Sequence, residues 1–197
     1  NMRKVIELSL QLKKKFSKTE NVLIITNVGG FSMDKLIDKS LLIEYYNRVF
    51  DSLECLKTSC VEIIPQTMAP FPWHFGGQRL QNLFVHPEEI VDNCANNGLR
   101  ICLDISHTKL VCNTFGYDFY TVVEKLGPYV AHIHVGDALG RNGEGLQIGD
   151  GDIDFKKLGQ VLKSHCPVAS FIPEIWQGHK DSGLGFKMAL SRLVGFL

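Results

Sequence analysis

Ala131-His132-Ile133-His134 is a short apolar run that delivers a metal-compatible side chain, His134, toward its C-terminal end. Three similar runs deliver carboxylates, and they are Cys60-Val61-Glu62-Ile63-Ile64, Ile101-Cys102-Leu103-Asp104 and Phe171-Ile172-Pro173-Glu174. Each run is followed by a loop and then by a helical pattern. In a repeating βα architecture the equivalent strand ends meet at one rim, where active sites are built. The recurrence therefore favours an enzyme in which four side chains hold one ion. They are Glu62, Asp104, His134 and Glu174.

The alternation of strand-like and helical patterns predicts the fold class. The run Asn21–Thr26 (NVLIIT) is continuously apolar, as expected for a strand buried on both faces of a parallel sheet. Further strands are predicted near residues 60–66, 99–105, 130–136 and 168–175, and helices near residues 33–57, 87–97, 117–126, 154–165 and 184–196. Strict βα alternation specifies a parallel sheet wrapped by helices.

The number of βα units decides what kind of sheet this is. Five strands could form an open sheet, but a complete (β/α)8 barrel has eight strands and typically about 250 residues. This chain has 197 residues. We predict an α/β fold, a partial (β/α)8 TIM barrel with about five βα units in one domain over residues 1–197. About three N-terminal units are then missing, and the open edges must be covered by more polypeptide, by a partner chain or by domain swapping.

Composition excludes some classes of function. Lysine plus arginine equals aspartate plus glutamate at 21 each, so the formal net charge is zero. A protein that binds nucleic acid through phosphate contacts normally has a basic excess. None of the six cysteines forms a C-x-x-C pair, which indicates reduced thiols and a cytoplasmic protein. No apolar stretch reaches the roughly 18 residues that span a bilayer.

Each candidate ligand has a simpler interpretation when it is taken alone. A single carboxylate in a strand is more often salt-bridged than metal-bound, and a single histidine in an apolar strand is usually a core residue with satisfied hydrogen bonds. Four such residues at corresponding places in successive units are harder to explain in this way. Burying several carboxylates together is also costly without a cation. We therefore favour a shared metal site.

Three further segments carry candidate site residues. His107 follows Asp104 by three residues, so both side chains can face one cavity. Long βα loops commonly form the substrate face, and the loop from residue 68 to residue 83 offers Trp73 or Phe75 to cover a ligand and Gln78 and Arg79 to bind hydroxyl, carboxylate or phosphate groups. Simple packing over the rim is the alternative for this loop.

The connection from residue 138 to residue 152 (ALGRNGEGLQIGDGD) is rich in glycine. Its best ligand for an anion or a hydroxyl group is Arg141. The glycines allow close approach of the backbone to a ligand, but they match neither a Walker loop nor a dinucleotide-binding fingerprint.

The order of these motifs resembles that of the xylose-isomerase-like TIM-barrel superfamily. That group contains sugar isomerases and epimerases, inosose dehydratases and DNA-repair enzymes of the endonuclease IV type. The resemblance runs from about residue 20 to the end and corresponds to the last five units of the barrel. The matching elements are Glu62, the step Asp104-x-x-His107, His134-Val135-Gly136-Asp137, the turn Gly149-Asp150-Gly151-Asp152-Ile153-Asp154-Phe155, and Glu174.

Two longer stretches are similar to those of a narrower group, the isomerase-like modules associated with sialic-acid-type synthases. They are Pro72-Trp73-His74-Phe75-Gly76-Gly77-Gln78-Arg79 and Pro173-Glu174-Ile175-Trp176-Gln177-Gly178-His179-Lys180. This similarity implies a place in bacterial surface-sugar biosynthesis.

The superfamily resemblance implies a role for each candidate residue. The four side chains named first would be ligands of one divalent ion, Mn²⁺, Mg²⁺, Co²⁺ or Zn²⁺. Glu62 and Glu174 would also transfer protons through an enediolate, while His107 and Arg141 would contact a small sugar substrate. The expected activity is that of a metal-dependent sugar isomerase or epimerase.

Two other functions stay open. A non-catalytic module that binds a sugar or scaffolds a synthase is the first alternative, because the barrel is incomplete. A zinc-dependent abasic-site endonuclease or phosphodiesterase is the second. Nucleases of this superfamily carry an Asp-x-His pair after the position of His134, whereas this chain reads Arg141-Asn142-Gly143-Glu144-Gly145 there. That difference and the neutral charge disfavour a nuclease.

Overall fold

Short strands and amphipathic helices alternate along the whole chain. The computed structural model describes residues 2–16, 21–58, 60–74 and 77–196. The strands are β1 Val22–Thr26, β2 Phe31–Ser32, β3 Val61–Pro65, β4 Trp73–His74, β5 Gly77–Gln78, β6 Leu80–Gln81, β7 Ile101–Asp104, β8 Val130–Val135, β9 Asp137–Leu139, β10 Gly143–Leu146 and β11 Ser170–Pro173. The α-helices are α1 Met2–Lys15, α2 Lys39–Leu56, α3 Pro87–Asn97, α4 Ile105–Phe115, α5 Phe119–Leu126, α6 Phe155–His165 and α7 Lys180–Leu193.

Five of the strands form the parallel wall of the fold. Strand β1 pairs with β3, β7 pairs with β8, and β8 pairs with β11, all in parallel. An isolated parallel bridge between Gln66 and Cys102 connects β3 to β7. The spatial order β1-β3-β7-β8-β11 therefore follows the order in the chain, with a helix after each strand. The predicted partial (β/α)8 barrel with five βα units is confirmed.

The main core lies between the middle strands and their covering helices. Strands β7 and β8 are buried along their whole length. Ile101 and Leu103 of β7 are completely buried, and they share one core with Ile90 of α3, Leu126 of α5 and Leu158 of α6. Full burial of such a side chain stabilises the fold by about 1.5–3 kcal/mol. The middle of the wall is therefore the best-packed part of the barrel.

The strands at the two ends of the wall are more exposed. In β11 the side chains of Phe171 and Ile172 are 41% and 46% exposed. In β1 only Ile24 is buried. Among the described residues, no helix is long and apolar enough to cross a membrane.

Two elements near the ends of β7 and β8 differ from the sequence prediction. Helix α4 begins directly after β7, because the Asp104 carboxylate accepts a hydrogen bond from the His107 N–H and caps the first turn. Gly116, in the left-handed region, ends this helix. The glycine-rich connection after β8 forms an antiparallel hairpin of β9 and β10 rather than an open loop. Both elements border the rim where β7 and β8 end.

Candidate metal centre and its cavity

Three of the predicted ligands meet at the C-terminal rim of the barrel. One ligand atom from each of Asp104, His134 and Glu174 lies within 4.8 Å of the others. Strand pairing explains the convergence, since Asp104 of β7 stands opposite His134 of β8. Glu174 follows β11 and is tied to the same level by the hydrogen bond from its N–H to the Val135 carbonyl, at 2.9 Å.

The Nδ1 atom of His134 tests whether this cluster fits a cation. It is buried and makes no hydrogen bond within the described part of the chain. It lies 2.5 Å from Oε2 of Glu174 and 3.8 Å from Oδ2 of Asp104, so it faces both carboxylates. A buried nitrogen that faces two carboxylates is the arrangement that a divalent ion satisfies. The residues therefore fit a metal ion.

The pKa values of the two carboxylates in the cluster are shifted in opposite directions, one by burial and the other by contact with His134. Burial raises the pKa of Asp104 to about 6. Contact with the His134 ring lowers the pKa of Glu174, although partial burial opposes this effect. The Asp104 side chain is 3% exposed and the Glu174 side chain 53%. Asp104 is thus the inner carboxylate of the cluster, and Glu174 faces the solvent side.

His107 of α4 packs directly beside the cluster. Its Nδ1 lies 2.9 Å from the Thr67 carbonyl oxygen, which can only accept, so Nδ1 carries a proton. Its Nε2 lies 3.0 Å from Oε1 of Glu144. Burial alone would lower the pKa of His107, but the negative charges of Asp104 and Glu144 together raise it to about 10. The ring is therefore cationic at neutral pH, and its charge offsets that of the carboxylates.

A cavity of about 380 Å³ opens over this cluster. Its walls include Asp104, His107, Glu144, Glu174, Trp176 and His179. No sequence pattern indicated a role for Glu144, Trp176 or His179. Trp176 and His179 lie in the stretch from residue 173 to residue 180, which was noted only because it resembles a stretch in other proteins. Glu144 lies between two glycines of the connection from residue 138 to residue 152, in which only Arg141 was predicted to bind a ligand.

The structure does not bring Glu62, the fourth predicted ligand and a predicted proton-transfer group, to this cluster. Glu62 is the second residue of β3 and forms a two-pronged ion pair with Arg100, at 2.8 Å between its Oε1 and the guanidinium Nε. Arg100 directly precedes β7, so this pair marks the N-terminal end of the parallel strands. Strand alternation carries the same face from Glu62 to Gln66, about 13 Å further along at about 3.3 Å per residue. The rim end of this strand therefore offers a neutral amide.

The predicted substrate-binding loops contact each other beside the cavity. The Gln78 amide donates hydrogen bonds to the Phe71 carbonyl, at 2.8 Å, and to the Asn142 side chain, at 3.1 Å. The guanidinium of Arg141 lies 5.4 Å from the centre of the Phe71 ring. The loop and the hairpin tip thus form one connected surface.

Four of the predicted substrate contacts lie outside the cavity wall. Among the described residues that line the cavity, Trp73, Gln78, Arg79 and Arg141 are absent, and their substrate contacts stay predictions. Trp73 is 63% exposed. Phe75 lies outside the described residues.

Known proteins share both the sequence pattern and the fold of this chain. A profile of the xylose isomerase-like TIM barrel family matches residues 1–192. No curated protein matches the chain.

Solved structures of sugar epimerases superpose on the chain at low identity. L-ribulose 3-epimerase is 13% identical, with 98% of this chain and 65% of that chain covered and a TM-score of 0.65. D-psicose 3-epimerase from Clostridium cellulolyticum H10 is 18% identical, with 89% and 64% covered and a TM-score of 0.63. The 3-keto-D-glucoside 4-epimerase of E. coli is 15% identical, with 89% and 64% covered and a TM-score of 0.61. The chain thus spans just under two thirds of the length of these proteins.

Proposed function

The chain belongs to the xylose isomerase-like TIM barrel family, and we propose that it is a divalent-metal-dependent isomerase or epimerase of a small sugar or sugar derivative. The observation that carries this proposal is the cluster of Asp104, His134 and Glu174 at the barrel rim. The unsatisfied Nδ1 of His134 and the cavity above the cluster support it. The solved structures of similar fold are named as sugar 3- and 4-epimerases, in agreement with this class of substrate.

Asp104, His134 and Glu174 would hold the ion in this proposal. A bound divalent ion would stabilise the negative charge that develops on substrate oxygen when the neighbouring carbon loses its proton. Two carboxylates and one imidazole suit Mn²⁺, Mg²⁺, Co²⁺ and Zn²⁺ and do not select among them.

Glu174 is the proposed base. Its lowered pKa keeps it ionised near neutral pH, and its half-exposed side chain lines the cavity. Because a carboxylate has two oxygens, one can face an ion while the other accepts a proton from a substrate carbon. The substrate would pass through an enediolate, to which the proton is returned.

Two neighbours would prepare the site for this step. The cationic His107 ring lies 3.3 Å from Oδ2 of Asp104 and adds positive charge where the enediolate forms. Trp176, 72% exposed at the cavity wall, presents an apolar face that can pack on a sugar ring and exclude water.

Metal binding and proton exchange test the proposal together. After purification without chelator we expect about one divalent ion per chain. In calorimetric titration with Mn²⁺, Glu174→Gln should weaken binding by about 10–100-fold, whereas the matched control Glu62→Gln should leave it unchanged because Glu62 is paired with Arg100.

The wild-type protein is then incubated in heavy water with D-tagatose, D-fructose and D-allulose, sugars with which epimerases of similar fold were crystallised. We expect deuterium to enter carbon in at least one of them. A chain that binds no ion after Mn²⁺ or Zn²⁺ is added would refute the proposal.

A sugar-binding module without catalysis is the second candidate function. One observation favours it, because the ion pair with Arg100 removes Glu62, one of the two expected proton-transfer groups, from the rim. Such a module would bind a sugar, with or without a metal ion, and would exchange no carbon-bound proton in heavy water.

A further inference from the structure

Glu144 is a second carboxylate on the wall of the cavity that also contains Glu174. It lies on β10, the returning strand of the hairpin that follows β8, and its side chain is 33% exposed. Because Glu62 lies at the opposite end of the barrel, the five strand ends supply only one glutamate to this cavity. The hairpin supplies the other.

Hydrogen bonds fix the backbone that carries Glu144 against the rest of the site. The Gly145 N–H donates to the Ser106 hydroxyl, at 2.8 Å, at the start of α4. The Trp176 N–H donates to the Gly145 carbonyl, at 2.7 Å. The segment that bears Glu174 is therefore bonded directly to the segment that bears Glu144. A side chain at Gly145, which has a φ of +62°, would also press on the Trp176 backbone.

One carboxylate oxygen of Glu144 is hydrogen-bonded to His107, and the other can contact a ligand in the cavity. Since Nδ1 of His107 donates to the Thr67 carbonyl, the contact between Nε2 and Oε1 of Glu144 is a separate hydrogen bond, which carries a proton. Within the described part of the chain, Oε2 of Glu144 makes no hydrogen bond. The carboxyl group is thus oriented by a histidine and open to the cavity.

We propose that Glu144 is a catalytic residue of this site, the second acid–base group beside Glu174. The inference rests on the proposed isomerase or epimerase function. In the reaction the substrate C–H bond breaks, its proton goes to Glu174, and its electron pair forms the enediolate. Glu144 takes up a proton from water at its Oε2 and gives it to carbon, a new C–H bond forms, and Glu174 releases its proton to water, so that both carboxyl groups return to their first state. His107 acts through Glu144 as a positioning residue.

The test separates proton removal from product formation. Wild type, Glu144→Gln and the matched control Glu124→Gln, which makes the same change on the exposed face of α5, are compared in heavy water with D-tagatose, D-fructose and D-allulose. For Glu144→Gln we expect Mn²⁺ affinity unchanged and deuterium exchange into the starting sugar retained within about 10-fold, because Glu174 still removes and returns the proton. Conversion to product should fall about 100-fold or more. Glu124→Gln should behave as wild type.

Each other outcome overturns a defined part of the reasoning. If wild type converts a sugar and Glu144→Gln converts it equally well, Glu144 is not catalytic. If exchange and conversion fall together by the same factor in Glu144→Gln, its role is structural and the assignment fails. If wild type binds Mn²⁺ but exchanges no proton in any sugar tested, the proposed function fails and the role of Glu144 fails with it.

Discussion

Replacement of Asp137 by asparagine should destabilise the fold strongly, although the two side chains have nearly the same shape. Asp137 is completely buried. Its Oδ1 accepts hydrogen bonds from the N–H groups of Ala138, at 2.8 Å, and Ile153, at 3.3 Å. Its Oδ2 accepts from Gly149 and Gly151, both at 2.9 Å. One carboxylate therefore ties the end of β8 to the turn that precedes α6.

The magnitude follows from the number of acceptors. Asparagine keeps one acceptor oxygen and places an NH₂ group where the second oxygen stood, so two of the four backbone N–H groups face a donor. A buried donor left unsatisfied costs about 1–3 kcal/mol. Asp137→Asn should therefore lower the free energy of unfolding by about 2–6 kcal/mol, a large part of the roughly 5–15 kcal/mol typical of a domain.

Urea unfolding followed by far-UV circular dichroism measures this loss. The matched control is Asp51→Asn on the exposed side of α2, which should stay within about 0.5 kcal/mol of wild type. Gly151→Ala should also destabilise this turn, because a Cβ at residue 151 would lie 2.2 Å from the Ala138 carbonyl oxygen. An Asp137→Asn protein within about 1 kcal/mol of wild type would refute the reasoning.

Three further predictions concern the carboxylates of Asp104 and Glu89. The affinity for Mn²⁺ should fall as the pH drops through about 6, because burial raises the pKa of Asp104 and the ion must displace the bound proton. A calorimetric affinity that stays constant across this pH range would contradict this prediction. In the ion-free protein the same shift makes the free energy of unfolding fall as the pH rises from about 4 to about 6. Tyr46→Phe should cost about 1–3 kcal/mol in urea unfolding, because the Tyr46 hydroxyl donates to Glu89 and accepts from the Phe84 N–H at 2.8 Å. Tyr129→Phe is its control, since the Tyr129 hydroxyl makes no hydrogen bond in the described part of the chain; equal losses in the two variants would show that the hydrogen bonds contribute nothing.

Local patterns were enough to predict the architecture of this chain. Strands that are buried on both sides need a continuous apolar run, and the run Ile101–Leu103 shows this burial in full. Helix α3 begins at Pro87 and ends before the left-handed Gly98, and both are ordinary helix boundary residues. Helix α4 escaped prediction because its cap, Asp104, is also the last residue of a strand, so no loop separates the two elements.

The candidate site was predictable only where the position of a residue in its strand could be read from the sequence. Asp104 is followed by Ile105 and then by the polar residues Ser106 and His107, which place it near the end of its strand. Glu62 is followed by Ile63, Ile64 and Pro65, and the strand continues through all three, so the carboxylate lies at the far end of the barrel. The apolar run that predicts this strand therefore also shows that Glu62 lies near its start. A carboxylate near the start of a strand lies far from the C-terminal rim, where the other three predicted ligands meet.

Glu144 illustrates the opposite case, in which the sequence holds no local signal. Its place on the cavity wall depends on the antiparallel pairing of β9 with β10 and on hydrogen bonds from Gly145 to Ser106 and from Trp176 to Gly145. The two hydrogen bonds join segments about 30 to 40 residues apart in the chain, a separation that periodicity cannot detect. A hairpin inserted after β8 can therefore bring a carboxylate to a rim whose own strand end, at Gln66, presents an amide. In this fold the charge of a site follows from its loops as much as from its strands.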